Sequence, residues 1–318
     1  MHNLIRYYYR NKYKIWGVIA FIVLLLLIIQ VLNRIVAITT QNEIDDAIKN
    51  NTQNNTIINN PNTDSYLTSD KSAVTGEKID NIALEYASET IENFVSACNT
   101  GNIEKAYSLI SQDCKAEFYP TISDFKNKYY NVIFCGEKKT ISIENWILNT
   151  YKINISEDIM ATGNTEGMKI QDHVTIVKED DDIKLNINNF VKKEKINREQ
   201  ISENIKFTVI SKKVFMDYEE YEIKVDNLTN GKIILDSRES TKTIYVQDEN
   251  SMKYYSYSNE LINSLLTVNK GFSTQLKIKF YKSYSKERVT NNIVFSDISL
   301  YDEITNQGSN IEPIKINL

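Results

Sequence analysis

The chain has 318 residues, 42% apolar and 25% charged, enough for two packed domains and a membrane segment, while only 9 Gly and 3 Pro exclude a collagen-like or long disordered protein. A formal charge of -5 starts a nucleic-acid-binding reading badly. The charge is also uneven: residues 1–14 carry Arg6, Arg10, Lys12 and Lys14 and no acid, whereas the remainder holds 33 basic residues against 42 acidic ones.

The first predicted element is a membrane span. Ile15 to Ile29, "IWGVIAFIVLLLLII", is apolar and uncharged, and Gln30, Val31 and Leu32 bring it to 18 residues, near the lower bound for a spanning helix. Ile35, Val36 and Ile38 extend it, giving a transmembrane helix over 15–38. Trp16 and the tyrosines Tyr7, Tyr8, Tyr9 and Tyr13 fit an interfacial belt, and the basic flank puts residues 1–14 in the cytoplasm as a short stub. A cleaved signal peptide would have a shorter apolar core and a small-x-small site, which "LNRIVAITTQ" does not supply. The expectation is a retained single-span anchor in the cell membrane, with the body extracytoplasmic.

Residues 39–76 read as a polar flexible linker, of which Asn50 to Thr75 is low in complexity. A coil of this length spans about 25–30 Å. Next, Ile79, Ile82, Ala83, Tyr86, Ala87, Ile91, Phe94, Val95 and Cys98 follow a helical period, predicting an amphipathic helix over 77–99 that stops near Gly101. Asn102 is placed to cap a second helix with Ile103, Ala106, Tyr107 and Ile110 inside. Pro120 breaks the chain, and Thr121 with Asp124 has the spacing of a capping box before a third short helix, "DFKNKYY".

After Gly136 the period becomes two. Ile141 and Ile143, then Tyr151, Ile153 and Ile155, then Val174 and Ile176, then Ile183, Leu185 and Ile187 alternate as strands. "KEDDDIK" is a hairpin turn rather than a calcium loop, because Glu179 to Asp182 lacks alternating ligand spacing and glycine. Residues 77–193 therefore form an α+β domain, three helices on a curved antiparallel sheet. Residues 204–303 are nearly all strand, with an inner face of Val209, Tyr221, Ile223, Val225, Ile244, Val246, Leu276, Ile278, Phe280, Ile293 and Phe295, the pattern of a β-sandwich. Residues 304–318 read as a polar tail.

The three cysteines, Cys98, Cys114 and Cys135, are too few for a disulfide framework. Cys98 falls on a helix's apolar face, a Cys114–Cys135 bridge stays open, and no spacing points to zinc or another metal. His2 lies in the stub and His173 starts a strand far from any promising nucleophile. No nucleotide, hydrolase or metalloprotease motif occurs, and no cofactor is expected. "KYYSYS", Lys253 to Ser258, reads as a strand with one aromatic face packed, although stacking on sugars or bases is its other use.

"NTGNIEKAYSLIS", "CKAEFYPTISDFKNKYY" and the closing hairpin "HVTIVKEDDDIKLNINNFV" resemble the nuclear-transport-factor-two-like fold, the SnoaL or ketosteroid-isomerase-like cone, over about 115 residues. Enzymatic members enclose a cavity that needs an acid base and an oxyanion hole. The resemblance makes Tyr107, Tyr119, Tyr129 and Trp146 the candidate pocket lining. The nearby acids Asp113, Glu117 and Asp124 read as caps and solvated charges, so no catalytic residue is assigned. "EYEIKVDNLTN", "IYVQDENSMKY", "NKGFSTQLKIKFY" and "NIVFSDI" resemble the telokin-like immunoglobulin-type domains of Gram-positive surface proteins. A short stub, one span and a cone domain also resemble bitopic assembly factors of conjugation and type IV secretion channels, which oligomerise through that domain. The resulting expectation is a non-catalytic envelope scaffold whose partners are the membrane, envelope proteins and other copies of itself. The alternative is a module holding a small apolar molecule or wall polymer.

Overall fold

A computed structural model describes residues 67–157, 169–180, 182–237, 242–257, 261–286, 288–302 and 307–318. The predicted stub, span and most of the linker lie outside the described residues. No described helix is long and apolar enough to cross a membrane. The described part is mixed α+β and mostly antiparallel sheet.

Among the described residues, five α-helices and a π-helical turn come first. Helix α1 (Asn81–Asn99) is capped by Asp80, whose carboxylate accepts from the Ala83 N–H. Its buried stripe is Leu84, Ala87, Ile91, Phe94, Val95 and Cys98, while Ile82 and Tyr86 are exposed. The first turns thus offer two apolar stripes, and the one in phase with the later core positions faces the sheet. Gly101, at φ +70°, ends the helix as expected. Asn102 caps α2 (Ile103–Ser108) through the Lys105 N–H, and Thr121 caps α4 (Ile122–Phe125) through the Asp124 N–H. Between them stands α3 (Gln112–Phe118), a helix beyond the predicted three. After α4 a π-helical turn, Lys126–Tyr130, leads into α5 (Asn131–Ile133).

These helices pack on one face of the antiparallel sheet β1 (Lys139–Ile147), β2 (Thr150–Glu157), β3 (Lys169–Glu179) and β4 (Asp182–Asn186). Both sheet edges are covered in part. Residues 67–74 run beside β1, with Thr68 N–H donating to the Ile143 carbonyl at 2.9 Å and Ala73 N–H to that of Asn145 at 2.8 Å. The segment expected to remain linker through 76 is therefore fixed structure from 67 onward. At the other edge, Leu185 N–H donates to the Leu109 carbonyl and Ser111 N–H to the Leu185 carbonyl, each at 2.9 Å. The edge positions paired in this way are closed to another strand.

The chain then crosses over at Ile187–Phe190. Asn188 and Asn189 hold φ of 63° and 59°, the left-handed pair of a tight two-residue turn that Asn tolerates. Strand β5 (Phe190–Ser202) takes in all but the last of residues 194–203, which belonged to neither expected domain. It is the edge of a sheet ordered β12-β7-β6-β5, with β6 (Ile205–Phe215), β7 (Glu219–Asn227) and β12 (Ser273–Phe280). Its shift at Lys195/Arg198 marks a bulge.

Two more four-stranded sheets complete this sandwich-like part. One contains β9 (Ile244–Asp248), β10 (Lys253–Tyr255), β13 (Thr290–Phe295) and β16 (Ile314–Asn317). The other contains β8 (Lys232–Ile234), β11 (Thr267–Val268), β14 (Ile298–Tyr301) and β15 (Gly308–Ile311), and the one-turn helix α6 (Asn263–Leu266) precedes β11. All eleven predicted inner-face positions are buried in one core. The expected polar tail is corrected: β15 and β16 are paired strands, and Ile314 and Ile316 join that core.

Gly231 leads into β8 at a close approach. A Cβ there would stand 2.1 Å from the Tyr301 carbonyl oxygen, a backbone atom that cannot swing away. Gly231→Ala is expected to cost about 1–3 kcal/mol, read as a lower urea midpoint. An unchanged midpoint would contradict this β8–β14 contact.

Candidate functional site

The interior of the helix-covered sheet brings two candidate lining residues together. Tyr119 and Tyr129 are buried with Phe94 and Phe125. Phe125 lies 5.7 Å from Tyr119 and 5.7 Å from Tyr129, and the two tyrosine rings are 6.0 Å apart. Tyr107 joins at the margin, its ring 5.9 Å from Phe125 and its hydroxyl donating to the Tyr119 carbonyl at 2.8 Å. Trp146 does not join them. Asn145 is buried on β1 between Ile143 and Ile147, and Trp146 contacts His173 (5.3 Å) and the Lys152 ammonium (5.0 Å) instead. Strand alternation separates adjacent residues, and a β1–β2 irregularity at Asn145/Ile147 adds to it.

An acid that sequence reasoning missed stands beside Tyr129. Asp172 on β3 is buried and makes four hydrogen bonds. Its Oδ1 accepts from the backbone N–H of His173 (2.8 Å) and Asn189 (2.9 Å), and its Oδ2 from the N–H of Asn188 (3.0 Å) and the Tyr129 hydroxyl (3.2 Å). Burial raises the Asp172 carboxyl above the ordinary carboxylate range, against these donors. Burial, then the Asp172 charge, pushes the Tyr129 phenol well above its ordinary value, so it stays a neutral donor. The carboxylate thus holds the left-handed crossover turn onto the sheet. The available signal was alternation: Asp172 is in phase with buried Val174.

The other acids serve locally. Asp124 sits in the α4 cap and pairs with Lys128 at 2.8 Å. Glu117 receives the Lys213 ammonium of β6 at 2.7 Å, and Glu220 receives it at 2.9 Å, a bridge from α3 to the strand-rich part. Glu179, from the acidic hairpin, accepts the Gln112 N–H at 2.8 Å and so caps α3 from outside. His173 shares a 2.8 Å hydrogen bond between Nδ1 and the Asn189 Oδ1, while its buried Nε2 has no partner among the described residues. All three cysteines are free thiols, so Cys114 and Cys135 do not pair. Burial raises the Cys98 and Cys114 thiols to about 12, whereas Cys135 is exposed. Among the described residues, no group of three or more His, Cys, Asp or Glu could hold a metal ion.

A concave feature lies at the crossover. A cleft of about 190 Å³ is lined by Phe118, Asn188, Asn189, Phe215, Asp217 and Tyr218. Phe118 of α3 meets Phe190 of β5 edge-on at 5.9 Å and Phe215 of β6 at 6.1 Å, so rings from both parts form its wall. Met216 N–H donates to the Asn189 carbonyl at 3.0 Å and ties the crossover turn to the end of β6. Phe215 stacks on Tyr218 at 4.3 Å. No protein-family model and no curated protein sequence matches the chain.

Proposed function

We propose that the chain is a single-span, extracytoplasmic scaffold of a bacterial cell envelope, acting through interaction rather than catalysis. In this reading the helical part is a cone of the nuclear-transport-factor-two-like type and the strand-rich part is immunoglobulin-like. Residues 15–38 anchor both, and the role is assembly, in a conjugation or secretion apparatus or a similar structure. One observation carries the reading: the cone interior is filled by its own rings, and Asp172 beside them is occupied in holding the crossover. A general base has to meet a substrate proton at hydrogen-bonding distance, and here those positions around the carboxylate are taken by the protein itself.

Crosslinking in intact cells tests the role. Repeated capture of the same envelope proteins, or of a second copy, is the expected outcome. Recovery of the uncrosslinked chain alone would contradict a scaffold. One observation favours the alternative, a ligand-binding module: the cleft at the crossover, which combines rings with amide and carboxylate groups.

A further inference from the structure

We infer that the crossover cleft is a glycan-binding site, taking one sugar ring of a neutral or amino-sugar polymer, with the adjoining tyrosines as a platform for the next unit. The inference rests on the extracytoplasmic reading only for its biological source of glycan. The cleft volume of about 190 Å³ suits a single small ring rather than a drug-sized ligand.

Its wall has the two kinds of group that a pyranose needs. Phe118 and Tyr218, each half-buried, offer aromatic surface to the apolar C–H face of the ring, and the buried Phe215 backs them from beneath. Asn188 and Asp217 are exposed at the same cleft and bring a carboxamide and a carboxylate, which together donate to and accept from hydroxyls. The two loops presenting them are held in place beforehand. Asn188 belongs to the turn fixed by Asp172, and Asp217 to the β6–β7 hairpin, where Phe215 N–H donates to the Tyr218 carbonyl at 2.9 Å.

From the cleft, rings continue outward. Tyr218 meets Tyr257 edge-on at 6.1 Å, and Tyr257 stacks on Tyr281 at 3.4 Å. Tyr281 is 58% exposed, a large aromatic surface left in water at the end of the row. Tyr257 is the last tyrosine of "KYYSYS", so that stretch contributes here as well as to strand β10. The charges here are mixed, the Asp217 carboxylate at the cleft and the Lys279 ammonium 5.3 Å from the Tyr218 ring, which suits neutral or N-acetylated sugars better than a densely charged chain.

The test is isothermal titration of the full chain in detergent with a β-1,4-linked N-acetylglucosamine tetramer, repeated with Tyr281→Ala and Asp217→Ala. Both side chains are exposed, so both variants are expected to keep the wild-type melting temperature. The inference expects saturable binding that each variant weakens about tenfold or more. Absence of saturable binding to the wild type, or binding that neither variant weakens, would overturn it. Selective binding of an apolar peptide in place of the sugar would also overturn it. Because the titration is done on purified protein, a negative result removes the glycan site and leaves the cellular location to its own test.

Discussion

Asp172→Ala is expected to lower the unfolding free energy by about 3–5 kcal/mol, because it leaves three backbone N–H groups and the Tyr129 hydroxyl without their acceptor. The damage should centre on the crossover, since the Asn188 and Asn189 N–H groups point inward only while the carboxylate holds them. Asp172→Asn keeps the shape but turns an N–H₂ group toward donors, and an intermediate loss of about 1–3 kcal/mol is expected. The two variants together separate lost volume from lost acceptors. Urea denaturation at neutral pH reads both, and a wild-type midpoint for Asp172→Ala would show that the crossover does not depend on this carboxylate.

The same residue predicts a pH signature with a definite sign. Burial raises its folded-state pKa above the unfolded value of 3.8. Between those two values the native state binds more protons than the unfolded state, so this group's contribution to stability falls as pH rises through the raised folded pKa. It is fully present below the unfolded pKa. Wild type minus Asp172→Asn should therefore show a stability difference that shifts in favour of wild type as pH is lowered through that window. A difference independent of pH would contradict the raised pKa.

The second large effect lies in the sandwich-like core. Lys282 and Glu219 form an ion pair at 2.8 Å, with side chains 3% and 4% exposed. Glu219 also accepts from the Thr290 hydroxyl at 2.7 Å and the Tyr221 hydroxyl at 2.9 Å, through its other oxygen. Lys282→Met leaves that carboxylate buried without its nearest cation, and Lys212, at 3.7 Å, is the one that remains among the described residues. A loss of about 3–5 kcal/mol is expected. The double variant Lys282→Met with Glu219→Gln removes both charges and should recover much of the loss. Non-recovery would mean that packing, rather than charge, holds these side chains.

Much of the fold was readable from local pattern. The caps Asn102 and Thr121, the stop at Gly101 and the alternation of the sandwich strands are short-range signals, and each appears in the structure where it was expected. Other features depend on long-range pairing. Strand β5 carries "KKEK" on a bulged edge, where neither alternation nor apolarity marks a strand. The C-terminal strands β15 and β16 are four residues each, too short to stand out until β14 and β13 supply partners. Asp172 looked like an ordinary polar position because its backbone partners Asn188 and Asn189 lie on the far side of a hairpin. Trp146 was grouped with the tyrosines by residue type, and adjacency to the buried Asn145 put it elsewhere.

The central claim, a body held outside the cytoplasm, has a direct test in the chain's own thiols. Cys135 is exposed, while Cys98 and Cys114 are buried, with burial raising both thiols to about 12. A membrane-impermeant maleimide applied to intact cells should therefore label the wild-type chain at Cys135, and Cys135→Ser should abolish the label. Labelling that appears only after lysis would place the body in the cytoplasm and contradict the account.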